Sequence, residues 1–197
     1  MGQKLTLKST KLRREKEKIL RKEEIKKTAL SLFSKKGYSE TKMEEIAEKA
    51  MLSKGLLYFY FKSKEKLLEE ILKDIYKDLP FKLKRIKESK SDPIEKLKDF
   101  IKTEFEFYSK NKKITKLLIE LYSTKDCPRF FKDIHKKEKE VLKEILEECI
   151  RKRKIKDYGI DLLSFILSSI FHYSFLTKNK IKNEKDIFDL FLKGVKI

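Results

Sequence analysis

The chain has 197 residues, of which 42% are charged, and Lys and Arg outnumber Asp and Glu by 51 to 32 for a formal charge of +19. This length closes one or two compact domains with a core, and only five Gly and three Pro leave room for long helices. Two cysteines, Cys127 and Cys149, make no metal-ligand spacing and no disulfide framework, which predicts reduced thiols in a cytoplasmic protein with no metal and no cofactor.

Residues 1–21 form a basic N-terminal extension carrying Lys4, Lys8, Lys11, Arg13, Arg14, Lys16, Lys18 and Arg21 against Glu15 and Glu17. Its first ten residues read as disordered, with a helical lead-in from Thr10. It is either an arm that adds phosphate or minor-groove contacts or a solvated tail. Lys22 to Lys36 is the first helix of a domain expected over residues 22–68. Ile25, Ala29, Leu32 and Phe33 recur as one apolar stripe, and Gly37 ends the helix.

Two short helices follow around a tight corner. Met43 to Ala50 has Ile46, Ala47 and Ala50 on one face. Ala50, Met51 and Leu52 make the corner, and Ser53 is a natural cap for Lys54 to Phe61. Helices crossing through so short a corner make a helix-turn-helix, whose second helix enters the DNA major groove by its N-terminal end. Ser53, Lys54, Gly55 and Leu57 stand at that end. Gly55 costs the helix about 1 kcal/mol against Ala but lets the backbone approach a ligand. Tyr58 and Tyr60 carry hydroxyls within reach of phosphates. Thr41 and Lys42 precede the first short helix and would lie near a phosphate, and Lys64 would favour one at the start of the next helix.

Over about fifty residues this stretch closely resembles the DNA-binding domain of the tetracycline-repressor (TetR) family. Ala29, Leu32 and Phe33, Gly37-Tyr38, Thr41, Ile46-Ala47, Ser53-Lys54-Gly55, Tyr58, Tyr60-Phe61, and Ser63-Lys64-Glu65 with Leu67 all fall where the family has them. Met51 departs from it, since the family usually has Gly in the corner. The resemblance implies that Glu44 faces the groove, where a carboxylate accepts a cytosine amino group or repels wrong sequences. It also implies an all-α fold of about nine helices, a three-helix reading head followed by a helical effector-binding and dimerisation domain over residues 69–197.

That second domain reads as follows. Ser63 to Ser89 is a long connecting helix that Pro80 kinks or breaks in two. Asp92 caps and Pro93 begins a helix to Lys110. Asn111-Lys112-Lys113 is a turn, Ile114 to Tyr122 a short helix, Thr124 to Pro128 a loop, and Arg129 to Lys154 a long helix. Asp157-Tyr158-Gly159 is a corner into Ile160 to Thr177, and the last helix spans Glu184 to Gly194. Leu162 to Leu176 is the most apolar stretch, but it is shorter than the roughly 20 residues of a membrane span and contains four serines and His172. It is read as a buried helix. Since it is apolar nearly all round it must be covered on both sides, by its own core and by a second subunit. With the preceding long helix it would form half of an intersubunit four-helix bundle, as the family does, through Val141, Ile145, Leu163, Ile166 and Ile170.

Aromatic residues concentrate in this half, interrupted by a few polar groups, which is how ligand cavities are built. The expected lining is Phe100, Glu104, Phe105, Tyr108, Leu121, Tyr122, Phe165, Ser169, His172 and Tyr173. The plain alternative is ordinary core, with His172 a hydrogen-bonded core histidine. His135 and His172 have no Ser, Cys or Asp partner at a catalytic spacing, and no Gly-rich phosphate loop exists, so the chain is read as a binder and not an enzyme. The expected function is a DNA-binding transcriptional regulator, chiefly a repressor, released from a near-palindromic operator by a small, largely apolar effector. Its rival is an effector-independent architectural DNA-binding dimer, which the high charge would suit. That excess is spread, however: residues 1–75 hold 20 basic and 12 acidic side chains, and residues 76–197 hold 31 and 20.

Overall fold

A computed structural model describes residues 2–122, 124–176 and 183–195, with side chains at 11–115, 117–119, 121–122, 124–171, 173 and 183–195. Among the described residues there are ten helices and no sheet. The tenth helix, against an expected nine, arises at Pro80. The connecting segment is two helices, α4 (Lys64–Tyr76) and α5 (Leu79–Glu88), and Pro80 sits in the first turn of α5, where a missing N–H costs nothing.

The chain divides into two compact units, Met1–Leu72 and Lys73–Ile197. The first begins with α1 (Gly2–Lys36), one helix of 35 residues. The expectation of a disordered start is therefore corrected. The stretch before Gly37 lacks Pro, has no Gly after Gly2, and is rich in Lys, Glu, Arg and Leu, all strong helix formers. Side chains 11–21 are exposed. From Ile25 onward α1 turns Ile25, Ala29, Leu32 and Phe33 into the core of the unit. The backbone N–H of Gly37 donates to the Phe33 carbonyl at 2.9 Å with φ at +89°, a left-handed C-terminal stop.

α2 (Met43–Lys49) and α3 (Lys54–Tyr60) cross over this stripe. Met43, Ile46, Ala47, Leu57 and Phe61 are buried together with Leu67, Leu68, Ile71 and Leu72 of α4. The last two explain why the first unit runs on to Leu72, past the expected end at residue 68. Ser53 caps α3 by accepting the Leu56 N–H at 3.3 Å, and Ser63 does the same for α4 with Lys66 at 3.1 Å.

The corner between α2 and α3 closes through Met51 N–H to the Glu48 carbonyl and Leu52 N–H to the Ala47 carbonyl, at 3.0 and 2.9 Å. Met51 lies at φ +53° with its side chain 91% exposed. It bears the left-handed strain of about 1–2 kcal/mol without any packing in return. Replacing it by Gly removes that strain and adds about 0.4–1 kcal/mol of chain entropy cost. Met51→Gly is expected to stabilise the protein by about 0.5–1 kcal/mol and Met51→Val to destabilise it, as read by urea unfolding.

The second unit adds α6 (Pro93–Lys110), α7 (Lys112–Tyr122), α8 (Arg129–Arg151), α9 (Ile160–Leu176) and α10 (Glu184–Val195). Asp92 Oδ1 accepts the Ile94 N–H at 2.9 Å and caps α6, with Pro93 at its first position. The turn after α6 is Asn111 alone, since α7 already starts at Lys112. Gly159 makes the corner before α9 at φ +85°, its N–H held by Asp157 Oδ1 at 2.8 Å. The end of α10 is tied back by the Lys156 N–H to the Val195 carbonyl at 2.7 Å. α6 packs against α8, α9 and α10, and α9 also against α8 and α10, around Leu97, Phe100, Ile101, Leu142, Ile145, Leu146, Leu163 and Leu167. Both cysteines are buried free thiols, and burial pushes that of Cys149 up to about 12, so it stays protonated and unreactive.

Candidate DNA-reading surface and effector cavity

In the first unit the N-terminal end of α3 is open. Ser53, Lys54, Gly55 and Leu56 are exposed, with Tyr58 and Tyr60 half-buried beside them. A Cβ built on Gly55 meets nothing within 4 Å, so the lone hydrogen there answers to no neighbour within the chain. Glu44, in the first turn of α2, pairs with the Lys54 ammonium at 2.5 Å. The hydrogen bond from Lys54 holds the Glu44 carboxyl below its usual range, and the same bond raises Lys54. Both groups are fully exposed, so the pair arranges a charge pattern and adds little stability. Lys42 stands exposed at the cap of α2, where Glu45 accepts its backbone N–H at 3.3 Å. Lys42, Glu44, Ser53, Lys54, Gly55, Tyr58 and Tyr60 thus present one polar, partly basic surface around the tip of α3.

Three of the residues read as DNA contacts make their contacts within the head. Leu57 is fully buried, because it lies one turn after Ser53 on the side of α3 that faces α2. Thr41 is 1% exposed and its hydroxyl donates to the Gly37 carbonyl at 2.7 Å, bracing the turn after α1. Lys64 points back into the head. Its ammonium donates to the carbonyls of Tyr38, Ser39 and Thr41 at 2.7, 3.1 and 2.9 Å and lies 4.4 Å from the centre of the Tyr38 ring. Three donors meet three acceptors, so this lysine clamps the loop before α2 and thereby sets where the reading surface starts.

In the second unit a cavity of about 80 Å³ opens between α6, α7, α8 and α9. Of the residues read as an effector lining, Phe100, Glu104, Tyr108 and Tyr122 border it. The other expected residues do not. Phe105 is half-buried and Leu121 buried away from it, while Phe165, Ser169 and Tyr173 are exposed on the outer face of α9. The side chain of His172 lies outside the described residues. Phe131, His135, Glu138 and Leu142 of α8 and Phe171 of α9 complete the wall.

Its polar end is a linked set. Tyr108 donates to Glu138 Oε2 at 3.2 Å, and His135 Nδ1 meets the same oxygen at 3.0 Å. The other Glu138 oxygen and Glu104 Oε1 are buried with no hydrogen-bond partner. Leaving such a group unmatched costs about 1–3 kcal/mol, more when charged. Burial, then the nearby Glu138 charge, drives the Glu104 carboxyl well above its ordinary range, and burial likewise raises Tyr108 and Tyr76. A carboxyl raised on folding supports the fold fully below its unfolded value near 4.5 and withdraws support as pH climbs through the folded value. Glu104→Gln, which cannot ionise, should therefore be indistinguishable from the parent near pH 4.5 and more stable at pH 8, by on the order of 1 kcal/mol. Thermal unfolding across that range reads the difference as about 2–4 °C.

Residues 25–71 match the family described as bacterial regulatory proteins, tetR family. The chain is also 27% identical over 147 residues to the transcriptional repressor KstR2 of Mycolicibacterium smegmatis, which spans 73% of this chain and 72% of that one. This chain is a TetR-family transcriptional regulator. The segment matched is the one that carries α2, the Met51 corner and α3, so this TetR-family head is a DNA-binding helix-turn-helix. The fold extends beyond it. The solved ketosteroid regulator KstR2 of Mycobacterium tuberculosis superposes with a TM-score of 0.74 at 20% identity, over 90% of this chain and 95% of that one. AibR, solved in complex with isovaleryl coenzyme A and operator DNA, gives 0.71 at 20% identity over 88% and 97%. Likeness at that identity establishes the helical fold of both units. TetR-family regulators are not enzymes, in keeping with the missing catalytic set. Among the described residues no helix is long and apolar enough to cross a membrane, and no group of His, Cys, Asp or Glu could hold a metal ion.

Proposed function

We propose that this TetR-family regulator is a cytoplasmic homodimeric repressor that leaves a near-palindromic operator when a small effector fills the cavity of its second unit. The tip of α3 carries the DNA half of this reading: an exposed Gly55, whose missing side chain no neighbour within the chain accounts for, flanked by Ser53, Lys54, Tyr58 and Tyr60. Lys54 and Glu44 read base edges there, while Lys42 and the two tyrosines hold phosphates. The basic first half of α1 adds phosphate contacts. The functional division into a reading head over 22–68 and an effector and dimerisation domain over 69–197 belongs to the same proposal.

The outer face of α9 supports dimerisation. Leu162, Phe165, Ile166 and Tyr173 are 50, 66, 37 and 60% exposed and fall with Ser169 on a single stripe. A monomer gains nothing from so apolar a stripe, and a two-fold pairing covers it. Of the interface residues expected from sequence, Ile166 is on this face and Val141 and Ile170 are half-buried. Ile145 and Leu163, 1 and 0% exposed inside the core, do not belong to this proposed stripe. Pairing would set two α3 helices about 34 Å apart, one turn of DNA. AibR, with a ligand and an operator named in one complex, supports effector control. The ligand shifts operator affinity only by its own preference between two arrangements of the dimer.

Selecting duplexes from a random pool tests the reading against an architectural DNA binder. Two inverted half-sites are expected, and random DNA should compete at least about 1,000-fold less well than the selected duplex. Equal competition by random DNA would remove the regulator reading in favour of the architectural one.

A further inference from the structure

We propose that the effector cavity is built for a small organic cation, a short primary amine or amidinium, whose head sits between Glu104 and Glu138 and whose apolar body lies against Phe100, Leu118 and Leu142. This rests on the cavity being the effector site and adds the chemistry of the effector. The buried atoms without partners at the polar end, Glu104 Oε1 and Glu138 Oε1, are both carboxyl oxygens. A ligand that only accepts leaves Glu138 Oε1 unmatched. An ammonium brings three donors and a charge, and bonds to an ionised partner are roughly twice as strong as neutral ones.

Charge points the same way. The Glu138 carboxylate already acts on Glu104, and a ligand anion would set a further negative charge beside Glu138 in a buried site. Two basic groups stand near. His135 is committed to Glu138, and Lys139, at the rim, is exposed and acts on Asp161. Neither offers a buried counter-charge to a carboxylate or phosphate. The aromatic rings of Phe100, Phe131 and Phe171 favour a cation further. Size sets the class: about 80 Å³ suits a few heavy atoms, well below the roughly 300 Å³ at which larger ligand sites begin. Burial raises the Glu104 carboxyl, and an arriving ammonium favours its charged form and draws it back toward its ordinary range. Binding of a cation is therefore coupled to proton release.

Isopentylamine is the probe, with isopentanol and isovalerate as partners of similar shape that lack the cation. Calorimetry on the full chain at pH 7, in phosphate and in Tris, reads affinity and proton release together. The amine is expected to bind at least tenfold more tightly than the alcohol or the acid, with a heat that changes with buffer. Glu104→Gln should cost at least tenfold in amine affinity and abolish the buffer dependence. Circular dichroism confirms the fold, and Glu106→Gln, an exposed carboxylate of α6 outside the cavity lining, should leave the binding unchanged. Equal binding of the alcohol or acid, or an unaltered affinity in Glu104→Gln, overturns the proposal. Operator release is measured in parallel. If isovaleryl coenzyme A releases the operator and the amine does not bind, the cation is wrong and effector control stands. If the amine binds with proton release and the operator stays bound, the cation site stands and effector control by it falls.

Discussion

Phe165→Glu should yield a folded monomer whose operator affinity is lower by about 1,000-fold. The substitution touches no core: Phe165 is 66% exposed, and exposed changes of this kind move stability by about 0.5 kcal/mol or less. Its effect lies between subunits. In a two-fold interface each change occurs twice, so two carboxylates would be carried into an apolar face and set near one another. Leu162, Ile166 and Tyr173 around it offer no compensating cation. Losing the partner separates the two reading heads. The second half-site then no longer benefits from an effective concentration in the millimolar range, which is worth 100- to 10,000-fold. Sedimentation velocity gives the mass and a mobility-shift titration gives the affinity. A dimer that survives Phe165→Glu would mean that α9 is not the seam.

The contrast between α9 and the reading head shows what periodicity can and cannot decide. In α1 and α4 apolar residues occupy one stripe, so the buried face is legible, and Ile25, Ala29, Leu32 and Phe33 all reach the core. α9 is apolar on every side, so no phase stands out. From sequence alone its outward residues Phe165 and Tyr173 pass for cavity lining, and inward Leu163 for interface. α8 poses the opposite difficulty. Its many charges look like a solvated face, and His135 and Glu138 are hidden among them although they reach the cavity. Their three-residue spacing, together with Glu104 on the otherwise apolar stripe of α6, was the available signal. A carboxylate on an apolar stripe needs a partner, and a His-x-x-Glu on a neighbouring helix is a natural place to seek one.

Within the head the motif was legible and the side-chain assignments less so. Position at helix ends suggests DNA contacts for Thr41, Leu57 and Lys64, but the same positions also build the scaffold. Thr41 and Lys64 spend their polar groups on the Gly37–Thr41 turn, and Leu57 fills the α2–α3 seam. Met51, noted as a departure, takes the left-handed conformation that the usual Gly would adopt freely. The turn survives a poor residue because the two hydrogen bonds across the corner and the burial of Ile46, Ala47 and Leu57 around it hold the backbone in place.

Gly55→Ala is expected to make the protein more stable and a poorer DNA binder at once. Gly55 lies inside α3, and its backbone is not in the left-handed region. Alanine is favoured there by about 1 kcal/mol of helix propensity. The added methyl meets no atom of the protein within 4 Å, so nothing offsets that gain in the free chain. Unfolding should shift upward by about 2–4 °C. Bound to an operator, the same methyl would project from the exposed tip of α3 toward the groove, between Ser53 and Tyr58. Forcing a methyl into a close-packed interface costs about 1–3 kcal/mol, or roughly 5- to 150-fold in affinity for each head. The two effects separate a structural glycine from a recognition glycine, because a structural one would lose stability on gaining a side chain. Should Gly55→Ala bind the selected duplex as tightly as the parent, the close approach of backbone to DNA lies elsewhere on the head, and Lys54 would have to reach the base edges from a greater distance.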